Sequence, residues 1–446
     1  MKNMIRRAER RIFISSLYIG SAESELVEAI RKSLAEKPSV QLHLQLDLNR
    51  STRPGSSSTA KILLPLLHEF PDRVTVSMFR SPSLRGFLAK IVPPRFNEGW
   101  GTWHAKIYGV DDEVIISGAN LNKSYFTNRQ DRYIHFANQP KLAQYCFDFL
   151  QTVSGFSYQL STKPGAGPHS YQQENYFLEW SDPQTHPHEI HLKAQEAITA
   201  FQSAKRTTHG IQLSAEEGSV STSDHVLLFP VIQAGQFNIR EEESALSLLF
   251  RTLNAPEGQL AGKHLPLVDL TSGYFGLYEK YQTLVLENNV ATRIVAASPK
   301  ANGFYGSKGI SGRIPEGYTL LEQRFMTAVR KAGRLWKQGT GVELTEWKKD
   351  DWTYHAKGIW VSPSAASLPV LTLFGSTNLN SRSAHIDTEL SFVMVIPCGS
   401  SGTDGVREQL KTEIDGLRVH ATEWKGGQRN VRFWTKVIVR IVKGML

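Results

Sequence analysis

Two histidines, each with a lysine two residues later, stand in matching surroundings in the two halves of this 446-residue chain. The first is His104-Ala105-Lys106, followed by Ser117-Gly118-Ala119-Asn120-Leu121-Asn122. The second is His355-Ala356-Lys357, followed by Gly375-Ser376-Thr377-Asn378-Leu379-Asn380. A neutral imidazole can attack phosphorus and form a covalent phospho-enzyme. A second imidazole can protonate a leaving group and then take the proton of an incoming alcohol. Taken singly, His-Ala-Lys is an ordinary surface pair and Gly-Ser-Thr-Asn an ordinary capped turn. Their recurrence in the same order points instead to one phosphoryl-transfer site, with a histidine from each half.

Side chains two apart on a strand share a face, so Lys106 and Lys357 can meet the same phosphate as His104 and His355 and balance charge on its non-bridging oxygens. Asn120, Asn378 and Ser376, with the backbone N–H groups of the small-residue turns, are candidate phosphate donors. Asp131 and Glu389 each follow their asparagine by 11 positions and are carboxylates suited to hold an imidazole in one tautomer. No paired ligand spacing is present among the histidines, so neither a metal nor another cofactor is expected.

These residues need strands to carry them, and the duplication extends to those elements. Ile14-Ser15-Ser16-Leu17-Tyr18-Ile19-Gly20 resembles Leu270-Thr271-Ser272-Gly273-Tyr274-Phe275-Gly276. In the first half, hydrophobic periodicity predicts a helix over 4–10, a strand over 12–17, a helix over 25–34, a strand over 40–48 and a loop over 50–58. In the second it predicts a strand over 226–232, a helix over 241–253 and a strand over 265–270. Alternating strands and helices give an α/β fold, and so long a repeat means two fused domains rather than a solenoid. The expected division is a first repeat over 1–160, a Pro- and Gly-rich connection over 161–188, a second repeat over 189–428 and a basic amphipathic helix over 429–446. The first repeat lacks the strand that precedes the helix of the second, so the sequence is expected to begin inside that repeat.

Fifty-one Lys and Arg against 42 Asp and Glu leave a formal charge of +9, which favours anionic partners. Two cysteines, Cys146 and Cys398, are too few for a disulfide framework or a cysteine zinc site. No apolar run reaches the 20 or so residues that cross a bilayer, and Met1–Arg11 has no secretory apolar core. Membrane contact is therefore expected to be peripheral. In the C-terminal segment Val431, Trp434, Ile438, Ile441 and Met445 recur at helical spacing, with Arg429, Arg432, Lys436, Arg440 and Lys443 between them. This is the pattern of an interfacial helix on an anionic membrane, and equally of a final helix docked on its own core. A second apolar and basic stretch, 84–95, precedes His104.

The paired motifs resemble the phospholipase D superfamily, whose pattern runs His-x-Lys-x4-Asp and then Gly-Ser-x-Asn. His104, Lys106 and Asp111 fit its first part, whereas the second copy has Ser362 where Asp111 stands in the first. Arg95-Phe96-Asn97-Glu98, and above all Tyr125-Phe126-Thr127-Asn128-Arg129-Gln130-Asp131-Arg132-Tyr133, look like the eukaryotic mitochondrial phosphatidylglycerophosphate synthases. The resemblance implies two phospholipase D-like α/β/α repeats with pseudo-two-fold symmetry and the active site between them. It implies transfer of a phosphatidyl group from CDP-diacylglycerol to sn-glycerol 3-phosphate, with His104 attacking through a phosphohistidine, His355 as acid and base, and Asp111 in the catalytic set. It also implies a peripheral place on the matrix side of the mitochondrial inner membrane, with a presequence, and no nucleic-acid partner. A hydrolase of the same fold, a serine-accepting transferase and a non-catalytic binding module are the alternatives. Retention of both histidines and both lysines argues against the last.

Overall fold

The computed structural model describes residues 1–55, 58–86, 91–165, 167–209, 225–255, 265–398 and 401–441. The first half supplies β1 (Arg11–Ser15), β2 (Gln41–Asp47), β3 (Val74–Phe79), β4 (Ile107–Val110), β5 (Glu113–Ser117), β6 (Arg129–Gln130), β7 (Tyr133–Phe136), β8 (Tyr158–Ser161), β9 (Tyr171–Gln173) and β10 (Tyr176–Glu179). The second supplies β11 (Leu227–Ala234), β12 (Ile239–Arg240), β13 (Leu267–Ser272), β14 (Ala291–Ala297), β15 (Val342–Trp347), β16 (Thr353–Tyr354), β17 (Lys357–Ser362), β18 (Leu371–Gly375), β19 (Glu389–Val395) and β20 (Ala421–Glu423).

One sheet runs β7-β5-β4-β1-β2-β3-β8-β10-β9 and the other β12-β11-β19-β18-β17-β13-β14-β15-β20. From β7 to β8 the first order matches the second from β19 to β20, strand for strand. In each, three parallel strands are joined by helices, Ser24–Glu36 and Thr59–Glu69 in one and Glu279–Glu287 and Ile314–Lys331 in the other. Parallel strands need cover on both faces, which is why β1 reads Ile12-Phe13-Ile14 without alternation and buries all three.

In both repeats the first parallel strand pairs antiparallel with the strand that the His-x-Lys residues lead into, Ser15 opposite Ile107 and Ser272 opposite Lys357. That pairing brings each histidine to the ends of the parallel strands, the crevice where open α/β sheets bind ligands.

One apolar core cluster spans both repeats, and a second lies within the second repeat. Phe136 stacks on Phe374 with ring centroids 6.0 Å apart. Arg132 reaches into the second repeat, donating to Thr372 Oγ1 and the Leu373 carbonyl at 3.1 Å and to both oxygens of Glu413 at 2.8 Å. Gly358, at φ 147°, leaves room for it, since a Cβ there would lie 2.1 Å from the guanidinium.

The stretch 161–188, expected as the connection between the repeats, adds the hairpin β9–β10 to the first sheet. Its turn passes through Glu174 at φ 52°. β11 has no counterpart beside β7 among the described residues.

Candidate active site

Each histidine segment leaves its own repeat to pair with the other. Trp103 bridges Thr388 and the His104 N–H donates to the Thr388 carbonyl at 2.9 Å. In the same way β16 pairs parallel with β6, and the His355 N–H donates to the Gln130 carbonyl at 2.8 Å. The residues next in line are Glu389 and Asp131. As a result the carboxylates cross over: His104 Nδ1 meets Glu389 at 2.8 and 3.0 Å, and His355 Nδ1 meets Asp131 at 2.6 Å. Carboxylates at Nδ1 fix the tautomer and leave Nε2 of each ring to react.

Both histidines and both lysines are buried. Lys106 Nζ donates to the His104 carbonyl, and Lys357 Nζ to the His355 carbonyl at 2.8 Å. Burial lowers the Lys106 ammonium to about 7, with Glu389 opposing and Lys357 adding to the shift. Burial also lowers Lys357. Burial and then Lys357 push the His355 imidazole down to about 3 against the pull of Asp131. His104 is lowered by burial too, with Glu389 opposing. Burial would raise Glu389, but His104, Lys106 and Ser376 outweigh it and hold the carboxyl at about 2. Asp131 likewise stays low because Lys357 and His355 outweigh its burial. An anionic phosphate between these groups favours their protonated forms.

Two expected roles are corrected. Asp111 sits at the far end of β4 at φ 51°, where its carboxylate accepts from the backbone N–H groups of Glu9, Arg10 and Arg11 at 2.8, 2.9 and 2.9 Å. It fixes the entry to β1 and is no part of the site. Ser376, buried, donates to Glu389, so it holds the carboxylate and not the phosphate. Asn120 accepts from the Leu17 N–H at 3.3 Å and donates to the Tyr125 hydroxyl at 3.2 Å. The Asn378 amide oxygen is buried without a partner, which leaves it for a ligand to satisfy. Asn122 and Asn380 cap the short helices Lys123–Thr127 and Ser381–His385 that lead to the crossing carboxylates.

His104, Asp387 and Glu389 offer potential metal-ligand atoms within 4.8 Å of one another. Donors already occupy both acids. Glu389 takes His104, Ser376 and Ser383, while Asp387 takes Thr102 and Arg382. The arrangement is built to hold the imidazole rather than an ion.

Known proteins resemble the chain over nearly its full length. The chain is 34% identical over 99% of its length to the Mus musculus mitochondrial CDP-diacylglycerol--glycerol-3-phosphate 3-phosphatidyltransferase, of which it covers 80%. It is 31% identical over 100% of its length to the CDP-diacylglycerol--glycerol-3-phosphate 3-phosphatidyltransferase of Schizosaccharomyces pombe, of which it covers 91%. The chain belongs to this phosphatidyltransferase family. Among solved structures, Haemophilus influenzae phosphatidylserine synthase is 19% identical and matches with a TM-score of 0.68 over 100% of this chain and 92% of that one, which shows the phospholipase D-like fold. No family model matches the chain.

In this family member, several residues around the site escaped the sequence reading. The rings of Tyr125 and Tyr274 stand edge-on to His355 at 5.1 and 5.4 Å. Arg50 lies 4.2 Å over Tyr18 and also faces Glu98. The parallel placement of Tyr18 and Tyr274 in the two repeats was the available signal for them.

At the C-terminus the helix Phe433–Ile441 is docked and exposed at once. Thr435 and Val439 are buried, and Val431 and Val439 pack with Leu320, while Arg432 is bound to Glu316 through its backbone N–H and side chain. Phe433, Trp434 and Ile441 stand 70%, 68% and 77% exposed, with Ile438 half-buried and Lys436 and Arg440 exposed. Lys443 and Met445, and residues 87–90 of the second stretch, lie outside the described residues. Among the described residues, no helix is long and apolar enough to cross a membrane.

Proposed function

We propose that this chain transfers the phosphatidyl group of CDP-diacylglycerol to sn-glycerol 3-phosphate, releasing CMP and forming phosphatidylglycerol phosphate on the way to cardiolipin. The relatives' names supply donor and acceptor. The observation that carries the chemistry is the pair of imidazoles, each fixed at Nδ1 by the other repeat's carboxylate. His104 Nε2 attacks the phosphorus that bears diacylglycerol, and the P–O bond to CMP breaks with its electrons leaving on CMP. That leaving group is itself a phosphate with a second pKa of about 6, so it departs as an anion with little need of a proton. The acceptor hydroxyl then attacks the phosphohistidine, His355 takes its proton, and the P–N bond breaks to restore His104. Burial and then Lys357 favour the neutral form of His355, the form a base requires, against the pull of the anionic phosphate. Lys106 and Lys357 face the non-bridging oxygens, and the Asn378 amide oxygen, an acceptor, takes a hydroxyl of the substrate.

The test is incubation of purified protein with CDP-diacylglycerol and either sn-glycerol 3-phosphate, serine or no acceptor, with products separated. Phosphatidylglycerol phosphate forming only with the first is the expected result. Phosphatidylserine, or phosphatidic acid released equally with and without acceptor, overturns it.

The work is done at the matrix face of the mitochondrial inner membrane, in keeping with the mitochondrial relatives, and the C-terminal helix supplies the contact. Trp434 and Ile441 enter the interface, Ile438 follows from the side, and Lys436 and Arg440 lie near anionic headgroups, each worth about 1 kcal/mol. Arg432 is committed to Glu316 and contributes less. Changing Trp434 and Ile441 to Ser should weaken liposome binding at every salt concentration, and changing Lys436 and Arg440 to Gln mainly at low salt. Unchanged liposome binding by both variants would remove the helix from this role.

A further inference from the structure

The two sides of the cleft differ in charge at one pseudo-equivalent position. Arg129 and Asp387 each stand two residues ahead of a crossing carboxylate, and each binds the threonine two residues ahead of the opposite histidine. Arg129 Nε donates to Thr353 Oγ1 at 2.9 Å, and Asp387 Oδ1 accepts from Thr102 Oγ1 at 2.9 Å. The acid is neutralised where it stands, because Arg382 Nε donates to Asp387 Oδ2 at 2.7 Å. The base is not: among the described residues Arg129 has no carboxylate partner, and its surroundings are aromatic hydroxyls. Its guanidinium lies 4.5 Å over the Tyr125 ring. A Cβ built on Gly303 would lie 3.1 Å from the Tyr274 hydroxyl and 3.5 Å from Arg129 Nη2, so the backbone at 303 walls the same small space. Both tyrosines also touch His355.

A part-buried guanidinium without a counter-charge is costly unless a ligand supplies one. A phosphate does so best, because its oxygens match the guanidinium fork and a neighbouring hydroxyl can add a donor. We propose that Arg129, with the Tyr274 hydroxyl, is a phosphate subsite that seats the phosphomonoester of the acceptor on the His355 side of the cleft. The assignment rests on the transferase reading above. It explains how one cleft receives two phosphate-bearing substrates without confusing them. The donor's reacting phosphorus sits between the histidines, the acceptor's phosphate is drawn to Arg129, and its hydroxyl is thereby presented to the base.

The pyrophosphate of the donor offers the same chemistry, so the experiment varies the two substrates separately in the full chain and in Arg129→Gln and Arg129→Lys. Arg129→Gln should raise the KM for sn-glycerol 3-phosphate about 10- to 100-fold, the loss expected for a charged hydrogen bond, with a much smaller change in the KM for CDP-diacylglycerol. Arg129→Lys should recover part of the loss. Inorganic phosphate should compete with sn-glycerol 3-phosphate in the unaltered chain, and only weakly in Arg129→Gln. An equal rise in both KM values, or a rise for the donor alone, overturns the subsite. So does phosphate that fails to compete in the unaltered chain, a measurement that needs no variant to fold. Failure of the unaltered chain to make phosphatidylglycerol phosphate would instead overturn the reading beneath it.

Discussion

The His104 and His355 half-sites share a backbone but not their surroundings. Around His104 the carboxylate of Glu389 receives three side-chain donors, His104, Ser376 and Ser383, so it is locked in place. Around His355 the position equivalent to Ser376 is Gly118, and the aliphatic part of Lys357 fills the space: a Cβ on Gly118 would lie 3.0 Å from it and 2.8 Å from Asp131 Oδ1. Lys357 Nζ then stands 2.8 Å from His355 Nδ1. One imidazole is anchored by a rigid acid, while the other is lowered to about 3 by burial and then by the lysine packed beside it. The two copies of the motif thus differ by one serine-to-glycine exchange and by the lysine packed into the space it leaves.

The hardest way to break this comparison is to remove the rings. His104→Ala and His355→Ala should each cost at least about 1000-fold in product formation. The two losses should differ in kind. His355→Ala should still release CMP and accumulate a phosphatidyl adduct on His104, because only the acceptor step needs the base. An adduct trapped on His355 in His104→Ala would reverse the roles, and near-normal activity in either folded variant would end the two-histidine mechanism.

Next come the lysines, where activity and stability should move in opposite directions. Lys106→Met should lose about 100-fold or more in activity yet stabilise the unliganded protein, since no amine then has to lose its proton to be buried. The folded pKa of about 7 lies below the ordinary 10.5, so between those values the unfolded chain holds a proton that the folded one has shed. Stability from this group therefore rises with pH through that window and is lost as pH falls through 7. Thermal melts of the unliganded protein from pH 7 to 10 should show that rise in the parent and a smaller one in Lys106→Met. Parallel curves would show that Lys106 titrates normally.

The paired histidines and lysines were legible in the sequence because their spacing is local. His-x-Lys needs only period two, and the predicted helices over 25–34 and 241–253 overlie the observed Ser24–Glu36 and Glu241–Asn254 because their apolar faces repeat at helical spacing. Two things were hidden. The crossing of Asp131 and Glu389 depends on parallel bridges between segments more than 200 residues apart, Thr353 with Arg129 and Trp103 with Thr388, which no local pattern encodes. The hairpin β9–β10 is too short to show an alternation, at three and four residues, and its turn residue Glu174 is neither Gly nor Asn.

The serine–glycine difference can be probed from both sides. Gly118→Ser forces a side chain against Asp131 and Lys357, and should cost about 10- to 100-fold in kcat by displacing the lysine or the acid. Ser376→Ala removes one of three donors to Glu389 without crowding anything, and a loss of about 10-fold fits a single hydrogen bond to a charged group. A larger loss from Ser376→Ala than from Gly118→Ser would mean that the half-sites are not specialised in this way.

The smallest effect on activity is expected at Asp111, where the motif name and the structure disagree. The second half already carries Ser362 at this position, far from His355 along β17 and buried. Chemistry that needed a carboxylate in each copy would therefore lack one. In the first half the acid closes the turn into β1 by accepting three backbone N–H groups, and it tolerates φ 51° because aspartate visits the left-handed region more readily than most residues. Asp111→Ala should leave kcat and both KM values near those of the parent while lowering stability by about 2 kcal/mol, from lost hydrogen bonds and backbone strain. Urea unfolding beside steady-state kinetics separates the two. A loss of kcat with unchanged stability would return Asp111 to the catalytic set, and would mean that the halves differ in their chemistry more than Ser376 and Gly118 imply.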